Sequence, residues 1–191
     1  MISCDGLGKR FSKQWVFRRV SLTVETGQCL LLTGPNGSGK STLLKLLAGL
    51  EPASEGSVSR EFDTRTGMGY SATDLRLYPN LSAGEHLEFA STMRGIAAEH
   101  GLLGSVGLSE AADKPVGAFS TGMRARLKLA LALMGAPKAL LLDEPGAGLD
   151  ESGRALLDEV VAEQLGRGVV ILATNDPAER RFGDFELVLG A

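Results

Sequence analysis

Gly34-Pro35-Asn36-Gly37-Ser38-Gly39-Lys40-Ser41-Thr42 is the stretch on which the fold turns. A glycine, four residues, then Gly-Lys-Ser is the spacing of a loop that wraps phosphates. Its flanks agree with that reading. The apolar run from Cys29 to Leu32 enters it as a buried strand ending at Thr33. Ser41 to Leu50 leaves it as a helix, with Leu43, Leu44, Leu46, Leu47 and Leu50 forming an apolar face. Glycines let such a loop turn its backbone N–H groups inward, and the helix N-terminus adds partial positive charge. Lys40 then reaches the outer phosphates and the Ser41 hydroxyl ligates Mg²⁺. All nine residues, Gly34, Pro35, Asn36, Gly37, Ser38, Gly39, Lys40, Ser41 and Thr42, are candidates for holding a nucleotide's phosphates.

The bulk properties narrow the class. A chain of 191 residues, 43% hydrophobic, can bury a real core as one domain. A net charge of −3 gives no global pull toward nucleic acid or an anionic membrane, and no nucleic-acid partner is expected. No stretch approaches the ~20 apolar residues of a membrane span. Met1 to Asp5 lacks the basic-then-apolar order of a signal peptide. Cys4 and Cys29 form no spaced framework, which points to a reducing cytoplasm, and Cys29 is expected to fill core space.

The order of patterns predicts an α/β fold: a P-loop NTPase with a mainly parallel central sheet, an N-terminal antiparallel β portion and a helical insertion. Residues 1–78 and 136–191 would form the core with its β portion, and 79–135 the helical part. Ser21 to Glu25 alternates as a half-buried strand, Thr26-Gly27 turns it, and Val58 and Gly67–Ser71 are strand pieces. Ser82 with Glu85 forms a capping box, opening a helix through Met93. Gly101, Gly104 and Gly107 interrupt the stretch after that helix. A helix is expected over Met123–Met134, strands over Ala139–Leu142 and Val169–Ala173, a helix between them over Glu151–Leu165, and a last strand over Phe185–Leu189. No further domain is expected beyond it. Strands alternating with helices argue for a parallel sheet.

Leu140-Leu141-Leu142-Asp143-Glu144 is a buried strand ending in two carboxylates. Ligands collect at the carboxyl ends of parallel strands. Asp143 can hold Mg²⁺ there, and Glu144 can polarise the water that attacks the γ-phosphate.

Phe119-Ser120-Thr121-Gly122-Met123, upstream of Asp143-Glu144-Pro145, resembles the Leu-Ser-Gly-Gly-Gln signature of ATP-binding cassette (ABC) ATPases. Ser120 and Gly122 match; Phe119, Thr121 and Met123 are variants. Gly148-Leu149-Asp150 and the run from Val169 to Asp176 resemble the later segments of that family. The likeness covers almost the whole chain in the family's order, and in length the chain is nearest the small bacterial subunits of haem-exporter or multidrug type. The resemblance implies that Ser120, Thr121 and Gly122 meet ATP bound to a second, identical subunit. It also implies an integral membrane permease as partner and a place on the inner face of the cell membrane. Ser120 can in any case cap the helix beginning near Met123.

Two departures stand out. The family places His in a Thr-His-Asp run where this chain has Thr174-Asn175-Asp176. Asn175 can hydrogen-bond a phosphate oxygen but carries no proton at neutral pH, so hydrolysis is expected to be slow. The family's Gln near the metal is missing: alignment on Leu77-Tyr78-Pro79 puts Thr73 there, beside Asp74. Phe11 matches the aromatic that stacks on adenine, with Trp15 as rival. Lys9, Arg10, Lys13, Arg18 and Arg19 are expected on a solvated strand face and His86 and His100 on the surface, while for Arg124, Arg126 and Lys128, which follow the signature, a solvated helix face and ligand contact are equally good readings.

The function expected is an ATPase subunit that dimerises around ATP and drives a separate permease, with ATP and Mg²⁺ as cofactors. A soluble or regulatory low-activity cassette is the alternative. A GTPase would show an Asn-Lys-x-Asp motif, which is missing. A nucleotide kinase would need a lid and acceptor pocket, against which the signature-like segment argues.

Overall fold

The computed structural model describes residues 1–190. Its first strand, β1 (Ile2–Phe11), is anticipated in the sequence only at Lys9 and Arg10. Register shifts between Cys4 and Leu7 and between Leu7 and Lys9 break the period of two by which strands are recognised. β2 (Gln14–Val24) pairs antiparallel with it, and the chain runs on through β3 (Cys29–Thr33) and α1 (Lys40–Ala48). β4 (Glu55–Arg60) then returns to the free edge of β1, giving an antiparallel sheet in the order β2-β1-β4.

The central sheet takes the remaining strands. A single turn, α2 (Thr64–Gly67), leads to β5 (Met68–Ala72). Three helices come next, α3 (Ala83–Arg94), α4 (Gly101–Ser105) and α5 (Thr121–Leu133). Then come β6 (Ala139–Asp143), α6 (Glu151–Leu165), β7 (Val169–Ala173) and β8 (Phe185–Val188). The order is β5-β6-β7-β3-β8 and every pairing in it is parallel. β3 and β6 are therefore not neighbours; β7 lies between them.

Strand side chains alternate between two cores, as the pleat demands. Leu30, Leu32, Leu141 and Ile171 pack with α1 and the antiparallel sheet. Cys29, Leu31, Leu140, Leu142, Val170 and Leu172 pack on the other face with α5 and α6. Burial on both faces explains the unbroken apolar runs of β3, β6 and β7. Truncating a fully buried residue such as Leu141 to Ala costs about 2–5 kcal/mol. A third core, around Leu87, Leu103, Val106 and Leu127, joins α3, α4 and α5.

Local chemistry sets the helix ends. Ser82 and Glu85 form the reciprocal capping box of α3. Ser120 Oγ accepts from Met123 N–H at 3.2 Å and starts α5. α1 ends at Gly49, and Arg60 closes it by donating to the Leu46 and Leu47 carbonyls at 2.8 Å.

Several surface expectations are corrected. Gly101 and Gly104 lie within α4 rather than breaking it, and only Gly107 turns left-handed there. His86 is buried, not exposed. One ring nitrogen accepts from Tyr78 N–H at 2.9 Å and the other meets the Ser82 carbonyl at 2.7 Å, which ties α3 to the segment before it. Lys9 is buried and paired with Glu51 at 3.0 Å. The basic residues of α5 are not simply solvated: Arg124 donates to the Val116 and Gly117 carbonyls, Arg126 to Asp150 and Ser152, and Lys128 to the Ala72 and Thr73 carbonyls. Periodicity places these residues on a helix face but is blind to the loop carbonyls that other segments bring there.

Candidate functional site

The loop after β3 is shaped by what cannot be added to it. Gly34 sits at φ 132°, and a Cβ there would strike the Leu189 carbonyl. Gly39 sits at φ 102°, and a Cβ would come within 2.6 Å of Val16 Cγ1. Gly39 is also the N-cap of α1, so no side chain caps the helix and its first-turn N–H groups stay open toward the loop. Ser38 N–H donates to the Pro35 carbonyl at 3.1 Å, and its own hydroxyl is buried without a partner. Lys40, 7% exposed, folds back across the loop and donates to the Gly34 and Pro35 carbonyls at 2.8 and 3.3 Å.

A cleft of about 340 Å³ opens over this loop. Asn36, Gly37, Gly39, Lys40, Ser41 and Thr42 line one side, and Thr73, Asp143 and Glu144 the other. All parallel strands of the central sheet end at this side, so β5, β6 and the β3 loop converge although β7 separates β6 from β3. Asp143 is buried at the end of β6. Burial pushes its carboxyl above the usual range; the Ser41 side chain against it pulls it down, Asp74 raises it, and Lys45 and Lys40 lower it.

Glu144 comes next with φ 49°, a left-handed conformation rare for a residue with a Cβ and here directly before Pro145. Its N–H donates to the Ala173 carbonyl at 2.8 Å, which ties this bend to the end of β7. Asn175 lies just beyond. Its N–H faces Glu144 Oε2 at 3.4 Å, and its amide lies 2.7 Å from the Asn36 amide oxygen. In the orientation that satisfies both ends of that amide, its nitrogen donates to the Gly34 carbonyl at 2.7 Å and its oxygen accepts from Lys40 Nζ at 3.2 Å.

The other candidates lie elsewhere. Thr121 lines a second cavity, about 260 Å³, on the α5 side of Thr73, Asp143 and Glu144, where it packs on Gly148. Ser120 and Gly122 line neither cavity, so one chain does not bring the signature-like segment to Lys40. Phe11 is 51% exposed with Lys9 Nζ 4.9 Å from its ring centroid, outside the residues that line the cleft. Trp15 is flanked by Arg10 and Arg18, whose guanidinium carbons lie 5.4 and 4.2 Å from its ring centroid. Val16, which no motif marks, is the β2 residue that borders the cleft. Thr73 borders both cavities, and Asp74 pairs with Lys45 at 2.7 Å. Glu179, on the short 3-10 helix from Pro177 to Phe182, is buried, and its burial has no signal in the sequence.

Residues 17–147 match the family described as ABC transporter. The chain belongs to the ABC transporter family. Within this family it is an ATP-binding subunit that hydrolyses ATP. It is 35% identical over 187 residues to the lantibiotic transport ATP-binding protein SrtF of Streptococcus pyogenes, covering 92% of this chain and 80% of that protein. A solved ATP-binding subunit of an ABC transporter superposes with a TM-score of 0.89 at 27% identity, over 98% of this chain and 85% of its own. A dimeric ATP-binding cassette in a post-hydrolysis state, bound to ADP and Pi, shares the fold with a TM-score of 0.89 at 23% identity, over 99% of this chain and 94% of its own. The α/β P-loop fold expected from the phosphate loop is thus the fold of these ABC cassettes. No helix among the described residues is long and apolar enough to cross a membrane.

Proposed function

We propose that ATP lies with its triphosphate on the Gly34–Thr42 loop, and that this ABC subunit, in the cytoplasm, pairs with a second copy and drives a separate membrane permease from the membrane's inner face. The observation that carries this reading is the single cleft in which Lys40, Ser41, Asp143 and Glu144 face one another. The open N–H groups of the loop and of α1 bind the phosphates, and Lys40 gives up its loop carbonyls for the outer phosphate oxygens. Phe11 is the candidate for stacking on adenine, and Val16 is an apolar residue at the edge of the cleft.

The donor set fits Mg²⁺. The Ser41 hydroxyl and Asp143 carboxylate are oxygen ligands of the kind Mg²⁺ takes alongside phosphate and water, and a cation offsets the burial that raises Asp143. Thr73 stands at the same edge as a third oxygen donor. When bound, the ion neutralises charge on the phosphates. Glu144 orients and polarises the attacking water, and its left-handed backbone aims the carboxylate out of the strand into the cleft. Asn175 holds a phosphate oxygen but cannot relay a proton, which makes turnover slow.

Ser120, Thr121 and Gly122 start α5 away from the cleft of their own chain. A second copy facing the first would bring them over its nucleotide, with the N-terminus of α5 turned to the γ-phosphate. The test is a Glu144→Gln substitution. It should abolish turnover, leave ATP affinity intact and let a dimer accumulate with ATP in size-exclusion chromatography. Normal hydrolysis by this variant would remove Glu144 from the role.

A further inference from the structure

Glu179 is an acidic residue only 2% exposed, on the turn of 3-10 helix from Pro177 to Phe182 that begins just after Asn175. Its Oε1 accepts the Gly146 N–H at 2.9 Å, in a fully buried hydrogen bond between segments 33 residues apart. Its Oε2 is buried with no hydrogen-bond partner. A Cβ at position 146 would collide with Glu179 Oε1, so a side chain there requires the carboxylate to shift. Burial pushes the carboxyl up. The Thr174 side chain beside it and the Gly146 N–H pull it back, and Asp176 and Glu144 raise it further. Arg154, whose guanidinium feels the Glu179 charge, is engaged with Asp176 at 2.8 Å.

A carboxyl buried at this expense needs a function or a compensating network. The residues on either side of its contact supply the reason. Glu144 holds a left-handed φ of 49° immediately before Pro145, a conformation that persists only where surroundings over-determine it. Upstream, Glu144 N–H is fixed to the Ala173 carbonyl; downstream, Gly146 N–H is fixed to Glu179. Both anchors belong to the stretch that ends β7 and carries Asn175.

We propose that Glu179 is a positioning residue: through the Gly146 N–H it clamps the Glu144-Pro145-Gly146 bend to the segment just past Asn175, and so sets the direction of the Glu144 carboxylate. It touches neither nucleotide nor water. The inference rests on the reading of Glu144 as the group that orients water, but it concerns how the bend is held.

The experiment compares Glu179→Leu, which keeps bulk and loses the acceptor, with Glu179→Gln, which keeps a neutral acceptor. The leucine variant should lose kcat by about tenfold or more while KM for ATP stays within about twofold, because only the reacting geometry is disturbed. The glutamine variant should recover most of kcat. Wild-type kcat in the leucine variant, or a glutamine variant as slow as leucine, overturns the proposal. Should the leucine variant fail to fold, amide exchange in the unsubstituted protein decides: a slowly exchanging Gly146 N–H is expected, and fast exchange overturns the clamp. Full hydrolysis by Glu144→Gln would instead refute the role of Glu144, while the Gly146 exchange result would stand by itself.

Discussion

Asn175 and Asn36, 139 residues apart in the chain, meet across the mouth of the phosphate loop with their side-chain amides 2.7 Å apart. The contact joins the end of β7 to the loop after β3, the two strands that pair in the middle of the central sheet. It also places Asn175 within reach of Lys40. A neutral amide here can hold geometry but not a proton.

Asn175→His should therefore raise ATP turnover by about tenfold or more, since a titratable imidazole adds proton transfer at the same place. ATP affinity should change little. Steady-state kinetics on the two proteins check this, and equal kcat values would show that the amide imposes no limit.

Lys40→Ala should cost nucleotide affinity by about 2 kcal/mol or more, roughly thirtyfold, because the charged phosphate contact is deleted. Titration with a fluorescent nucleotide measures it. An unchanged dissociation constant would detach Lys40 from the phosphates.

Lys128 is the fastening between α5 and the end of β5, donating to the Ala72 and Thr73 carbonyls at 3.0 and 2.7 Å. Lys128→Met keeps the stem and leaves both carbonyls without this donor. The loss should be about 1–3 kcal/mol in urea unfolding with the slope unchanged. A midpoint equal to that of the parent protein would mean that water replaces the ammonium without cost.

Burial, with a smaller contribution from Asp184, pushes the Cys29 thiol from the ordinary 9.0 up to about 12. The folded protein keeps that proton as pH rises, whereas the unfolded chain releases it near 9.0. Stability should accordingly fall as pH climbs from 9.0 toward 12, and Cys29→Ala should flatten that fall. Unfolding curves at several alkaline pH values compare the two slopes. Alkylation gives a second readout, since Cys29 should react only after unfolding.

The stretches most legible in the sequence were those whose signal is local. β7 and α6 match the expected ranges Val169–Ala173 and Glu151–Leu165, because a buried parallel strand is an unbroken apolar run and α6 carries a regular helical pattern. The Ser82–Glu85 capping box needs only four residues to be recognised. Most of β1 escaped because its bulges destroy alternation, and His86 because a lone histidine carries no sign of the carbonyl and N–H that two other positions bring to it.

Sequence alone determined that this protein has a Gly-x4-Gly-Lys-Ser loop, two carboxylates ending a buried strand and an ABC-like signature. Each is a contiguous run whose chemistry is written in neighbouring residues. Tertiary structure alone decided that Asp143 and Glu144 share a cleft with Lys40 across an intervening strand, that Ser120 and Gly122 stay outside it, and that Glu179 is buried against Gly146. Those relations depend on strand order and on which segments meet at the ends of the sheet, and distance along the chain carries no information about either.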